Sequence, residues 1–164
     1  MLFAIFSQAA ACAAGGEIKM NGKLLEISVK CKDDPKCEFT GNDVFLEIFI
    51  TNRSDGNIGY PLEFAKERGP SVTLRDTETK KESQLSTHLA DWDLKTEFTV
   101  IKPGESVKID WVVTDDELKQ FGGKYVDITL EVSLSDEIRV NDKKVEFNGS
   151  GSTRIVSKDK ENGQ

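Results

Sequence analysis

Apolar side chains recur at every second position along much of this chain, most plainly in residues 107–132. Val107, Ile109, Trp111 and Val113 alternate with Lys108, Asp110 and Val112. Further on, Val126, Ile128, Leu130 and Val132 alternate with Asp127, Thr129 and Glu131. A period of two lays one side of a strand on a core and turns the other to water. Between the two runs, Thr114 stands three residues before Glu117, the spacing of a capping box. Leu118 and Phe121 follow, and Gly122 or Gly123 ends the turn. Residues 107–132 therefore predict strand, helix over 114–121, glycine turn and strand. That helix is the only one the sequence supports.

The same alternation predicts strands elsewhere. Leu25, Ile27 and Val29 form one face of a first strand. Residues 44–51 are the most apolar, with Val44, Leu46, Ile48 and Ile50 on one face and Phe45, Glu47 and Phe49 on the other. This predicts a central strand whose second face is at least partly covered. Residues 52–57 form a dense turn cluster in which Asp55-Gly56 suits positive φ. Ile58, Tyr60, Leu62 and Phe64 then predict a strand at a sheet edge or strand end, because Pro61 lacks a ladder donor. Val72 and Leu74 mark a short strand, 76–80 a hairpin turn and 81–85 its return. Residues 86–93 read as irregular, and Phe98 with Val100 as another strand. Lys102-Pro103-Gly104-Glu105 is a tight turn. Strands are expected again at 138–140, 145–147 and 153–156, with 148–152 flexible and 158–164 a disordered polar tail.

Eight to ten short strands, turn signals about every dozen residues and almost no helix predict an all-β fold, an antiparallel immunoglobulin-like β-sandwich with one short helix. A small closed barrel is the alternative. At 164 residues, 37% hydrophobic and 31% charged, the chain is long enough for one cored domain. The organisation expected is a leader and tether over 1–16, the sandwich over 17–157 and the tail.

The net charge of -7 fits solubility, with no lysine cluster denser than Lys80-Lys81 and Lys143-Lys144. Without a basic stripe, no nucleic-acid partner is expected.

Residues 1–16 carry no charge. A short apolar run precedes small residues, too short to span a bilayer but similar to the end of a secretory signal, with cleavage-like positions at Ala9, Ala10 and Ala11. The missing basic n-region predicts a true start further upstream. Cys31 and Cys37 close a short polar loop whose Asp33-Asp34-Pro35 is turn chemistry, so a disulfide is expected over free thiols or a metal site. Cys12 is left over. Small residues before it and Gly15-Gly16 after it resemble a bacterial lipoprotein processing site, with Ala9 where a leucine is usual. Lipidation of Cys12, plain cleavage and no processing remain three readings. The first two place the domain outside the cytoplasm, in the periplasm or on the cell surface; the alternative is a frayed apolar N-terminus on a cytosolic protein.

Catalytic constellations are thin. His88 is the single histidine; Asp91 and Asp93 lie close, but no nucleophile elbow accompanies them. Carboxylate pairs at Asp33-Asp34 and Asp115-Asp116-Glu117 sit on turns and a helix start, and neither these nor Asp55-Gly56-Asn57 has the ligand series of a calcium loop. No cofactor or metal is expected. Asn52-Arg53-Ser54 and Asn148-Gly149-Ser150 match the glycosylation acceptor, relevant only to a eukaryotic secretory route. Trp92, in the irregular loop with His88, is either a lid on the core or an exposed recognition aromatic.

Thr51-Asn52-Arg53-Ser54 at a strand end, the Ile-Lys-Pro-Gly-Glu-Ser turn at 101–106 and the Gly-Gly-Lys-Tyr-Val entry at 122–126 resemble immunoglobulin-like domains of bacterial exported proteins. More narrowly, their order is similar to that of the bacterial intracellular proteinase-inhibitor family, over roughly residues 44–132. The chain departs from that family's tryptophan-rich middle, since residues 87–93 hold only Trp92, and no inhibitory residue is assigned. The resemblance implies a non-enzymatic module that binds protein or glycan through its loops; a monomer is expected, and the lipidation reading of Cys12 adds a lipid tether to the membrane. The alternative it implies is a proteinase inhibitor presenting a loop to an active site.

Overall fold

A computed structural model describes residues 24–32, 34–122 and 125–158. Ten strands and two short helices run in the order β1 (Leu25–Cys31), β2 (Glu38–Phe39), β3 (Val44–Asn52), β4 (Ile58–Tyr60), α1 (Leu62–Arg68), β5 (Ser71–Asp76), β6 (Glu82–Leu85), β7 (Thr99–Ile101), β8 (Ser106–Val113), α2 (Asp115–Lys119), β9 (Asp127–Val140) and β10 (Lys143–Ser157). A 3-10 turn, Trp92–Thr96, lies between β6 and β7. The fold is an all-β sandwich, as the alternation predicts.

One sheet has three antiparallel strands in the order β1-β3-β8. Its register, Val29↔Ile48↔Ile109 and Ile27↔Ile50↔Val107, stacks the expected apolar positions on one face. The other sheet runs β2-β10-β9, and β9 then meets β5 along Ile128–Ser133 and β4 at its far end. Its inner face brings Ile128, Leu130, Val132, Leu134, Val72, Leu74, Ile58 and Tyr60 to the core. The two strands of residues 107–132 therefore lie in opposite sheets, joined by α2. Thr114 caps α2 as the spacing foretells: its hydroxyl accepts from Glu117 N–H, and the Glu117 carboxylate accepts from Thr114 N–H at 2.8 Å.

Several expectations are corrected. Residues 58–64 do not form one strand. The ladder stops at Tyr60 because Pro61 cannot donate, and Leu62, Glu63, Ala65, Lys66 and Glu67 then continue as a second helix, being better helix than strand formers. Gly69, at φ 76°, ends it with its N–H on Ala65 O. Residues 148–152 are not flexible but lie within β10, paired with Ser135 through Glu131 of β9. The two-residue turn Asn141-Asp142, both at positive φ, holds this long hairpin in register. Gly56 does not adopt positive φ; Gly41, Gly69, Gly104 and Gly122 do. In β7 the inward residue is Ile101, while Val100 is exposed and Phe98 lies under the Arg139 guanidinium at 4.3 Å.

The sandwich closes differently on its two sides. On one, β10 crosses β1 so closely that a Cβ at Gly151 would stand 2.8 Å from Ile27 O. Glycine at 149 and 151 permits that approach. On the other, β8 ends the three-stranded sheet, and α1 with the segment after β6 fills the opening between the layers. Asn52 ties the sheets at one end: wholly buried, its amide donates to Gly56 O at 2.7 Å and to Ile101 O at 2.8 Å. This commits the first glycosylation-like asparagine to the core.

Candidate functional site

The open side, where α1, the segment after β6 and β8 meet, gathers the residues of most chemical interest. Trp111, on the inward face of β8, packs between α1 and His88. Its indole lies so close to Gly69 that a Cβ there would come within 2.3 Å of the ring, and the His88 ring tilts over it at a centroid distance of 5.1 Å. Trp111 is half-buried and belongs to the rim of the core, as expected of its strand face.

α1 is only seven residues long, too short to persist without tertiary support. Leu62, Phe64 and Ala65 are buried beneath it. Arg68, in its last turn, pairs with the buried Asp136 of β9 at 3.1 Å, and Asp136 also accepts from the Tyr60 hydroxyl at 2.6 Å. Burial, then the Asp136 charge and its hydrogen bond, hold the Tyr60 phenol well above its ordinary value. A charged pair and a phenol thus fasten the helix to the larger sheet.

The segment after β6 is braced on α1. His88 N–H donates to Arg68 O at 2.7 Å, and Asp91 N–H donates to a Glu67 carboxylate oxygen at 3.1 Å. The Asp91 carboxylate in turn caps the 3-10 turn, accepting from Asp93 N–H at 3.0 Å. It is therefore engaged in local structure, and His88 meets Trp111 rather than a carboxylate. Between these anchors Leu89 is 98% exposed, and Trp92, directly after the second, is 71% exposed. Trp92 leans on Phe64 at 6.0 Å, with Lys95 Nζ 4.9 Å over its ring. The tryptophan is thus an exposed aromatic, not a lid on the core.

A cavity of about 520 Å³ wraps the end of β8, with Trp111, Leu85 and Lys66 on its inner side and Phe45, Val112 and Lys32 on its outer side. Phe45 and Val112, opposite one another in the register, are both exposed. Further along the outer face of the central strand, Lys108 pairs with Glu47 at 2.7 Å and Lys30 lies over Phe49 at 5.3 Å. The sequence missed this site, because an exposed Phe45 and Val112 look the same as a covered second sheet face.

The remaining candidates are placed as follows. Cys31 and Cys37 are joined in a disulfide, which ties the end of β1 to the residue before β2. Cys12, with residues 1–16, lies outside the described residues. Asp115 is paired with Lys119 at 2.6 Å, so the acidic run at α2 supports its helix. Among the described residues, no three His, Cys, Asp or Glu side chains converge as a metal site requires. None of the described helices is long and apolar enough to cross a membrane.

No family model matches the chain, and no curated protein matches it. Among solved structures, it is similar to the Northeast Structural Genomics Consortium target SoR45, at 10% identity and a TM-score of 0.42, over 82% of this chain and 86% of that one. A protein from Archaeoglobus fulgidus matches at 10% identity and a TM-score of 0.35, over 82% and 98%. β-Glucosidase 3B from Thermotoga neapolitana, in complex with glucose, matches at 16% identity and a TM-score of 0.32, over 82% of this chain but 17% of that one. Likenesses this distant say nothing of function.

Proposed function

We propose that this chain is a non-enzymatic, immunoglobulin-like binding module that works outside the cytoplasm and holds a protein partner on its open side. The observation that carries this reading is the pair Leu89 and Trp92, exposed by 98% and 71% on a segment braced against α1. Large apolar side chains held rigidly at a surface are the usual anchors of protein interfaces. The Cys31–Cys37 bridge supports an oxidising compartment. Lipidation at Cys12 would hold the module at a membrane; Cys12→Ser should then move the protein to the soluble fraction, and wild-type protein that is already soluble in its native host ends that part of the proposal. For the binding role, a photo-crosslinker at Leu89 in native cells should capture a discrete partner, lost on Trp92→Ala. The same crosslinker at Glu78, at the far turn of the β5–β6 hairpin, should capture none. Equal capture from both positions contradicts the reading.

A second reading has its own support. Leu89 protrudes from a segment anchored on both sides, the arrangement by which an inhibitor offers one side chain to a protease cleft. Stoichiometric inhibition of some member of a protease panel, abolished by Leu89→Asp, would favour it; no inhibition across the panel removes it.

A further inference from the structure

We infer that Asp55 is a self-modifying site: its side chain closes on the backbone nitrogen of Gly56 to form a succinimide, which reopens as isoaspartate and loosens one end of the sandwich. The inference goes beyond the binding-module reading and holds whatever the chain binds.

The reaction needs an Asp or Asn followed by a glycine whose N–H is free, and room for a five-membered ring. Two such pairs fall among the described residues, Asp55-Gly56 and Asn148-Gly149; Asn21-Gly22 and Asn162-Gly163 lie outside them. Asp55-Gly56 meets both conditions. It sits in the exposed bend between β3 and β4, where, among the described residues, no hydrogen bond takes Gly56 N–H and no ion pair holds the Asp55 carboxylate. A Cβ at Gly56 would meet no atom within 4 Å. Asn148-Gly149 meets neither. Ser157 N–H donates to Val126 O at 2.8 Å, so odd-numbered residues of β10 bond to β9. Gly149, opposite Leu134, therefore has its N–H in the ladder, and a Cβ there would collide with the Phe147 ring. In an unstructured chain the asparagine is the more reactive of the two, because its side chain carries no charge to repel the incoming nitrogen. The fold reverses that order.

The step balances with water alone. Gly56 N bonds to Asp55 Cγ, and the hydroxyl of the protonated carboxyl leaves with the amide proton as water. Water then cleaves either ring C–N bond. Cleavage at Cγ restores Asp55. Cleavage at the main-chain carbonyl leaves isoaspartate, whose chain runs through Cβ and Cγ and is longer by one methylene at unchanged mass. That methylene enters beside the Asn52 tie. Gly56 O accepts from the buried Asn52 amide at 2.7 Å and from Ser54 Oγ at 3.0 Å. The same amide donates to Ile101 O, and its Oδ1 accepts from Ser54 N–H at 2.9 Å. Displacing Gly56 O leaves a wholly buried amide short of an acceptor where the two sheets are joined.

The test is warm incubation of the full, disulfide-bonded chain in mildly acidic buffer, followed by peptide mapping with electron-transfer fragmentation, which separates isoaspartate from aspartate at equal mass. The Asp55 peptide should split into two forms while the Asn148 peptide stays single. In guanidinium chloride, where the ladder is gone, Asn148 should overtake Asp55. Gly56→Ala, whose methyl meets open space, should fold and slow the conversion several-fold; Asp55→Glu should end it, because the larger ring closes poorly. Incubated wild-type protein should unfold at a lower urea midpoint than fresh protein, and Gly56→Ala incubated beside it should keep its own. An Asp55 peptide that stays single, or that converts no faster than Asn148 in the folded chain, overturns the inference. Conversion of Gly56→Ala at the wild-type rate overturns it too, since the glycine nitrogen is then not the limiting nucleophile. Conversion that leaves the midpoint unmoved overturns the claim that the Asn52 tie is loosened.

Discussion

Trp111 shows how much one side chain can organise. Its ring bridges β8, the end of α1 and the segment carrying His88, and Gly69 is glycine for two reasons: φ is 76°, and the indole occupies the space a Cβ would need. Gly69→Ala should cost about 2 kcal/mol or more, through strain and collision together. Trp111→Ala should cost ~3 kcal/mol, the lower end for a large aromatic because the ring is half-buried. Urea unfolding of both variants checks this, and near-wild-type midpoints would mean that α1 is not seated on the indole. Tyr60 gives a pH signature. Its phenol is held well above its ordinary value of 10.0 by burial and by Asp136, so the folded state keeps the proton that the unfolded chain releases first. That contribution is fully present below pH 10 and declines as pH rises beyond it. Tyr60→Phe should destabilise the protein at neutral pH by about 1–2 kcal/mol, since Asp136 loses a donor, and should flatten the alkaline decline relative to wild type. An unchanged alkaline slope in unfolding between pH 8 and 11 would refute this. The alternation places Trp111 on the correct face, but the Tyr60–Asp136–Arg68 cluster joins residues 76 and 68 positions apart or in different elements, and no local pattern signals it.

At the scale of elements, local chemistry was legible where it acted alone. The capping box at Thr114 and the inward faces of β1 and β3 follow from neighbours in sequence. It misled where two readings competed. Ile58, Tyr60, Leu62 and Phe64 keep strand periodicity across Pro61, yet the helix wins because Leu62 and Ala65 bury together and Arg68 finds Asp136. In β10, Asn148, Gly149, Ser150, Gly151 and Ser152 look like a linker by composition. They form strand because β9 offers a continuous ladder and β1 crosses at a distance only glycine allows. Gly151→Val should therefore lower the unfolding midpoint sharply, whereas Ser150→Val, exposed on the opposite face, should be nearly neutral. If calorimetry finds the two equal, the closed side of the sandwich is looser than the Ile27–Gly151 approach implies.

Over the whole molecule, the asymmetry between the two sides links fold to function. One side is sealed by β1 against the glycines of β10; the other leaves β8 beside a cavity, with a short helix and a braced segment as rim. The class of fold was legible because alternation is a local property of each strand. The binding side was not, because which edge stays open depends on how ten strands divide between two sheets. The account stands or falls on that open edge. Amide hydrogen exchange of the free, disulfide-bonded protein, resolved by residue in NMR, tests it without any partner. Val107, Ile109 and Trp111, bonded to β3, should exchange slowly, and Lys108, Asp110 and Val112 should exchange faster by at least about tenfold. Uniform protection along Ser106–Val113 would show that the edge is already covered and contradict the account.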